Sequence, residues 1–196
     1  MSELMTRAAE IRPSSIDEAN RTVDVIWSTG ARVARYGGPL SGRWSEELDM
    51  NGAKLERLNG GANLLDSHQA GSVRNILGKV ERAWVENGMG LATVRFSTRP
   101  DVEGLWQDVR SGIISSISVG YRIHRIDRVP RQGDGGVDLG RVVEWTPTEL
   151  SFVSAPADLG ARVRAEEIEV RESGAASSHD RLQLWKWKAD HRRRFA

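Results

Sequence analysis

The run Ser116-Ile117-Ser118-Val119-Gly120-Tyr121 sets hydroxyls in a β-rich segment. His68 lies fifty positions before Ser118 (118 − 68), and Glu149-Leu150-Ser151 follows downstream. A hydroxyl on a strand, one imidazole and a later carboxylate are the groups of a serine hydrolase. The imidazole takes the hydroxyl proton, and the carboxylate orients the imidazole. The chain order His, Ser, Glu is neither that of trypsin-like enzymes nor that of subtilisin. Strand alternation puts Ile117, Val119, Tyr121 and Ile123 on one face, and Ser116, Ser118, Gly120 and Arg122 on the other. If the apolar face is buried, Ser118 points to the reachable side, with Ser116 its near rival some 6 to 7 Å away at strand spacing. Gly120 is expected to let another backbone approach closely, as a peptide substrate would. The bland alternative is a crowded sheet lined by small residues.

Of four histidines, His179 and His191 fall in a polar linker and tail. His124 is six residues from Ser118 along the same strand, roughly 20 Å at strand rise, and out of reach. That leaves His68 as the base, against the bland reading of a loop histidine that satisfies nearby backbone groups. Three carboxylates compete for the third role. Glu149 should point away from the buried pair Leu150 and Phe152, Asp66 lies two residues from His68, and Glu144 is a further choice. Spacing alone does not decide among them.

Elements able to position these groups are readable in part. With 196 residues, 39% of them hydrophobic and 28% charged, the chain has the length and balance of one soluble domain with its own core. The net charge of +1 gives no global field for nucleic acid or an acidic substrate. The absence of cysteine excludes disulfides, thiolate catalysis and cysteine-bound zinc, and fits a reducing cytoplasm. No apolar run approaches a membrane span, and Met1–Glu10 lacks the pattern of a secretory signal.

Thr22 to Trp27 reads as a strand and Tyr36-Gly37-Gly38-Pro39 as a loop. Ser45 to Leu58 has helix-compatible composition, with Leu48, Leu55 and Leu58 as core candidates. Asn63 to His68 is a short apolar run ending in a polar cluster. Gly78–Val85 and Gly90–Ser97 flank Asn87-Gly88, a hairpin turn signal. Asp101 is placed as N-cap of a helix bearing Val102, Leu105, Trp106 and Val109, with Gly112 as its stop. Ile113–Ile123 reads as the next strand, Arg131–Gly140 as a flexible glycine-rich loop, and Val142–Trp145 and Glu149–Val153 as short strands. The sum is an α+β, mainly β domain over residues 21–170. Residues 1–20 precede it as a flexible segment, and a linker with a basic aromatic tail follows over 171–196. The tail pairs Trp185 and Trp187 with Arg192-Arg193-Arg194. It could meet nucleic acid, a membrane surface or an acidic scaffold, or be a solvated end.

Taken in order, the motifs resemble the prohead (capsid maturation) serine proteases of tailed bacteriophages of the HK97 type. Leu64-Leu65-Asp66-Ser67-His68-Gln69 resembles that family's hydrophobic–Asn–His–Asp segment. Asn75–Val80 matches its Gly–x–Val strand, Gly90-Leu91 its Gly–Leu start, and Val109–Ile114 its Val–x–x–Gly–x–Leu. Ser118-Val119-Gly120-Tyr121 matches Ser–Ile–Gly–Phe. Glu149–Asp158 is similar to the closing Glu–hydrophobic–Ser–x–Val–x–x–Pro–Ala–Asn. The likeness covers about residues 20 to 165. Departures are Ser67 and Gln69 beside the histidine, Asp158 in place of Asn, and the extra Arg131–Gly140 segment.

The resemblance implies a fold like the herpesvirus assembly proteases, an antiparallel β-barrel with flanking helices. It implies Ser118 as nucleophile, His68 as base and Glu149 as third member, where the herpesvirus relatives use a second histidine. It implies a serine endopeptidase needing no cofactor or metal, acting in the bacterial host cytoplasm inside the immature capsid. Its partners there would be the major capsid protein and its scaffolding segment, with possible self-association and self-cleavage. No membrane partner is expected, and nucleic acid only through the tail. A scaffold or capsid-binding module of the same fold without catalysis is the alternative.

Overall fold

The computed structural model describes residues 15–40, 42–129, 137–155, 157–158 and 162–163. The first fourteen residues, most of the glycine-rich segment, the linker and the basic aromatic tail lie outside them.

The described residues are mainly β. The strands are β1 (Thr22–Ser28), β2 (Val33–Tyr36), β3 (Arg43–Leu48), β4 (Asn63–Asp66), β5 (Ile76–Glu86), β6 (Met89–Phe96), β7 (Ile117–Val129), β8 (Asp138–Phe152) and β9 (Arg162–Val163). The helices are the single turn α1 (Glu56–Asn59) and α2 (Pro100–Arg110). All nine strands join one sheet in the order β2-β3-β8-β4-β5-β6-β1-β9, and β7 also pairs with β8.

That sheet is open and mixed, which corrects the expected antiparallel barrel. β7 runs antiparallel along nearly the whole of β8, from Ile117 opposite Phe152 to Val129 opposite Leu139. The other edge of β8 carries β3 and β4 end to end, both parallel to it. Between them Ala53 bridges Trp145, and the Lys54 N–H donates to the Trp145 carbonyl at 2.8 Å. The hairpin turn at Asn87-Gly88 is visible in sequence because both residues must take positive φ, here 52° and 75°. Parallel partners distant in sequence leave no such local sign.

Four elements differ from expectation. Ser45–Leu58 is not a helix: β3 occupies its start, and Trp44 and Glu46 alternate into the interior with strand period. Helix α2 starts at Pro100, whose fixed φ suits the first helical position, so Arg99 is the N-cap and Asp101 sits inside the first turn. β7 begins at Ile117 rather than Ile113, which is exposed, and continues to Val129. The two short strands expected near residues 142 and 149 are one strand, β8. Pro147 is tolerated within it because the register shifts beside it, at Gly120/Tyr121.

One face of the sheet is covered by an apolar core. Val23, Val25 and Trp27 come from β1, Trp145 and Leu150 from β8, and Val102, Trp106 and Val109 from α2. Trp145 stacks edge-on against Trp27 (5.9 Å) and Tyr121 (5.5 Å), and its indole N–H donates to the Asp49 carbonyl at 2.9 Å. Ile117 is fully buried, and Val119, Tyr121 and Ile123 pack against the same core. Ser118 and Gly120 therefore take the opposite face, as alternation requires.

Candidate active site

The site is built on three adjacent strands, with β8 in the middle. Pairing sets Ser118 opposite Ser151, and Gly120 opposite Glu149. Directly paired residues share a face of the sheet. On the other edge, Leu65 and Asp66 of β4 pair with Ser151 and Phe152. The chain then turns through Ser67 and His68, both left-handed at φ 47° and 61°. Such φ values are uncommon for residues with a Cβ and cost about 1–3 kcal/mol each. The turn is held by Ser67 N–H to the Phe152 carbonyl (3.0 Å) and Gln69 N–H to the Asp66 carbonyl (2.8 Å). It brings His68 back over β8.

There His68 makes two contacts. Its backbone N–H donates to Ser151 Oγ at 3.1 Å, and its Nδ1 lies 2.5 Å from Glu149 Oε1. Ser151 Oγ in turn donates to Glu149 Oε2 at 2.6 Å. Both carboxylate oxygens are thereby engaged, and a closed ring of bonds links β4's end to β8. When a neutral imidazole bonds an ionised carboxylate in this way, Nδ1 carries the proton and Nε2 presents its lone pair. The Glu149 side chain is 16% exposed and that of His68 42%, so the pair is sheltered on its carboxylate side and open on its imidazole side.

Ser118 is half-buried, and its side chain forms no hydrogen bond among the described residues. It sits across from Ser151, the residue that anchors the His68 backbone, so hydroxyl and imidazole occupy one patch of sheet surface. Among the described residues no hydrogen bond joins Ser118 to His68.

The other carboxylates have separate partners. Glu144 pairs with Lys54, whose hydrogen bond holds its carboxyl below the usual range. Asp66 is exposed and accepts from Ser67 Oγ at 2.8 Å. His124 lies out along β7, with Nε2 2.8 Å from Thr146 Oγ1. Of the three carboxylates left open by spacing, Glu149 is the one at hydrogen-bond distance from His68.

Two participants were not assigned by sequence reasoning. Ser151, fully buried, ties Glu149 to His68; its spacing of two from Glu149 on one strand was the available sign. Gly120 has a different use from the one expected. A Cβ there would lie 2.1 Å from Glu149 Oε1, so the missing side chain makes room for the carboxylate and not for an approaching backbone. Ser118 also borders a cavity of about 40 Å³, formed by β1, β2, β3 and the first residues of β7. Among the described residues no cluster of His, Asp and Glu has the arrangement of a metal site.

A mainly β sheet carrying a serine, a histidine and a bonded carboxylate on one face is an arrangement suited to acyl transfer. No family model and no solved structure matches the chain. Among curated proteins it is similar to the major capsid protein of Halomonas phage phiHAP-1, with 36% identity over 121 residues. The match covers 59% of this chain and 20% of that protein, so the chain spans about a fifth of the length of the curated relative it matches. The chain is thus related in sequence to a phage capsid protein.

Proposed function

We propose that this protein is a serine endopeptidase of phage capsid maturation, with Ser118 as nucleophile, His68 as general base and Glu149 as the carboxylate that orients it. The observation that carries the reading is the His68–Glu149–Ser151 ring facing Ser118 across β8. In this reaction Ser118 Oγ attacks the scissile carbonyl while His68 Nε2 takes its proton. The protonated imidazole then gives that proton to the leaving amine, and the acyl-enzyme forms. Water, activated by the same nitrogen, releases the acyl group. Glu149 stabilises the imidazolium from the Nδ1 side throughout.

The similarity to a capsid protein supports the choice of substrate class. The matched segment is a fifth of the phiHAP-1 protein, whose length is therefore about 600 residues (121/0.20). A module of this kind joined to a capsid polypeptide works at the high effective concentration of a tether. Capsid protein, and the segment removed from it during assembly, are the substrates this proposal assigns, with the chain itself as a second one.

A second reading rests on the unbonded Ser118 hydroxyl and on the structural name of the relative: a capsid-binding module that retains the fold without catalysis. A labelled fluorophosphonate separates the two. The active enzyme labels at Ser118, Ser118→Ala does not, and the same variant leaves a co-expressed capsid precursor at full length. Absence of labelling in the unaltered protein, together with unchanged precursor processing in Ser118→Ala, refutes the enzymatic reading.

A further inference from the structure

The outer edge of β7 carries a backbone donor next to the nucleophile. The Val153 N–H donates to the Ser116 carbonyl at 3.1 Å, and Ser118 and Gly120 stand opposite Ser151 and Glu149 in the same register. In an antiparallel pair, residues that exchange main-chain bonds with the partner alternate with residues that do not. The Ser116–Val153 bond therefore fixes Ser118 and Gly120 as residues whose N–H and C=O turn toward β8. The phase of β8 agrees: the Phe152 carbonyl, one residue along from Ser151, turns the other way and accepts from the Ser67 N–H at 3.0 Å. Ile117 and Val119 accordingly direct their N–H groups away from β8. Among the described residues β7 has no second partner strand, and the Val119 N–H forms no hydrogen bond. Val119 itself is half-buried, with its side chain against the core, so its backbone is held in place.

The proposed reaction needs a donor on this side. His68 is held over β8, by Ser151 Oγ at its backbone N–H and by Glu149 at Nδ1. Ser118 thus lies between the base on one side and the outer edge of β7 on the other. When Ser118 Oγ bonds to the scissile carbon, its proton passes to His68 Nε2 and the carbonyl π pair moves onto oxygen. On collapse that pair re-forms the double bond, the C–N bond breaks, and the amine takes the proton from Nε2. The leaving nitrogen must therefore face His68. This turns the carbonyl oxygen toward the outer edge, where the Val119 N–H points. A fixed donor aimed at the developing charge contributes about 10²–10³ in rate. The Ile117 N–H faces the same edge but lies roughly 6 to 7 Å further back along the strand.

We infer that the Val119 N–H stabilises the oxyanion formed when Ser118 attacks, which makes Val119 a catalytic residue through its backbone. The inference rests on the proposed function for the nucleophile and base, and on the pairing phase of β7 for the donor.

The test reads the two separately, on the full chain, with a small fluorophosphonate whose phosphoryl oxygen takes the place of the oxyanion in the Ser118 adduct. Replacing Val119 by the matching α-hydroxy acid keeps the side chain and removes only the N–H. Labelling should then slow by about 10²–10³, while the same replacement at Ile117 leaves the rate near that of the unaltered protein. A backbone ester at Val119 that labels at the unaltered rate, or one at Ile117 that slows labelling equally, overturns the donor and leaves the nucleophile standing. If the ester chain does not fold, the Val119 amide proton is followed by NMR in the unaltered protein. A downfield shift on formation of the Ser118 adduct, larger than that at Ile117, supports the donor, and an unmoved signal overturns it. Failure of the unaltered protein to label removes the nucleophile reading, and the donor with it.

Discussion

At the scale of the residue, the candidate site depends on three small decisions around one carboxylate. Glu149→Gln keeps the shape but reverses the tautomer preference of His68. It should slow fluorophosphonate labelling by roughly 10²–10⁴, the range for a carboxylate in this role. Gly120→Ala inserts a Cβ into the carboxylate's place, so labelling should fall by a similar factor although Gly120 is none of the reacting groups. A Gly120→Ala protein that labels at the normal rate would show that the Glu149–His68 bond is dispensable. Ser151→Ala leaves Glu149 Oε2 and the His68 N–H short of a partner, a loss of about 1–3 kcal/mol in stability readable by urea unfolding. The types and spacing of Ser118 and His68 were enough to nominate them, because each is a local fact of a strand or turn, whereas spacing left Glu149, Asp66 and Glu144 open and only the resemblance favoured Glu149. The parts played by Ser151 and Gly120 were not readable, because they follow from which residue of β8 faces which residue of β4 and β7.

At the scale of the element, β8 organises the molecule and the sequence concealed it. Pro147 argues against a continuous strand, and the shift in register that absorbs it has no local sign. β3 was misread for a related reason. Glu46 and Glu47 favour a helical reading, yet the strand forms because β2 and β8 pair with its two edges. The hairpin of β5 and β6 and the apolar stripe of α2 were readable, since turn chemistry and 3.6-residue spacing are written within a few positions. β8 also concentrates stability: Trp145 touches Trp27 and Tyr121 and is fully buried. Trp145→Ala should cost about 3–5 kcal/mol in chemical denaturation. A loss below 1 kcal/mol would mean that β8 is not the hub described above. β7 pairs only with β8 among the described residues, and Arg122, Arg125, Asp127 and Arg128 along its exposed stretch oppose adventitious strand pairing.

At the scale of the whole molecule, the polar cluster of Glu46, Arg35 and Tyr121 links stability to alkaline pH. Burial, followed by the hydrogen bond to Glu46, pushes the Tyr121 hydroxyl far above the usual tyrosine range. The folded state then keeps a proton that the unfolded chain releases near pH 10. Stability from this source is fully present below that pH and declines as pH rises beyond it. Denaturation midpoints should fall above pH 10, and Tyr121→Phe should flatten that fall. A slope unchanged by the substitution would assign the alkaline loss to other groups.

The residues that hold the reacting groups come from positions 68, 118 and 149, brought together by pairings across 81 positions for His68 and Glu149 alone. No fragment that stops before β8 contains the carboxylate, the serine that anchors the imidazole backbone, or the strand against which β7 lies. On the proposed reading, the site is therefore incomplete in a ribosome-bound chain until β8 has entered the sheet. Completion of folding acts as the safety catch of the proposed protease.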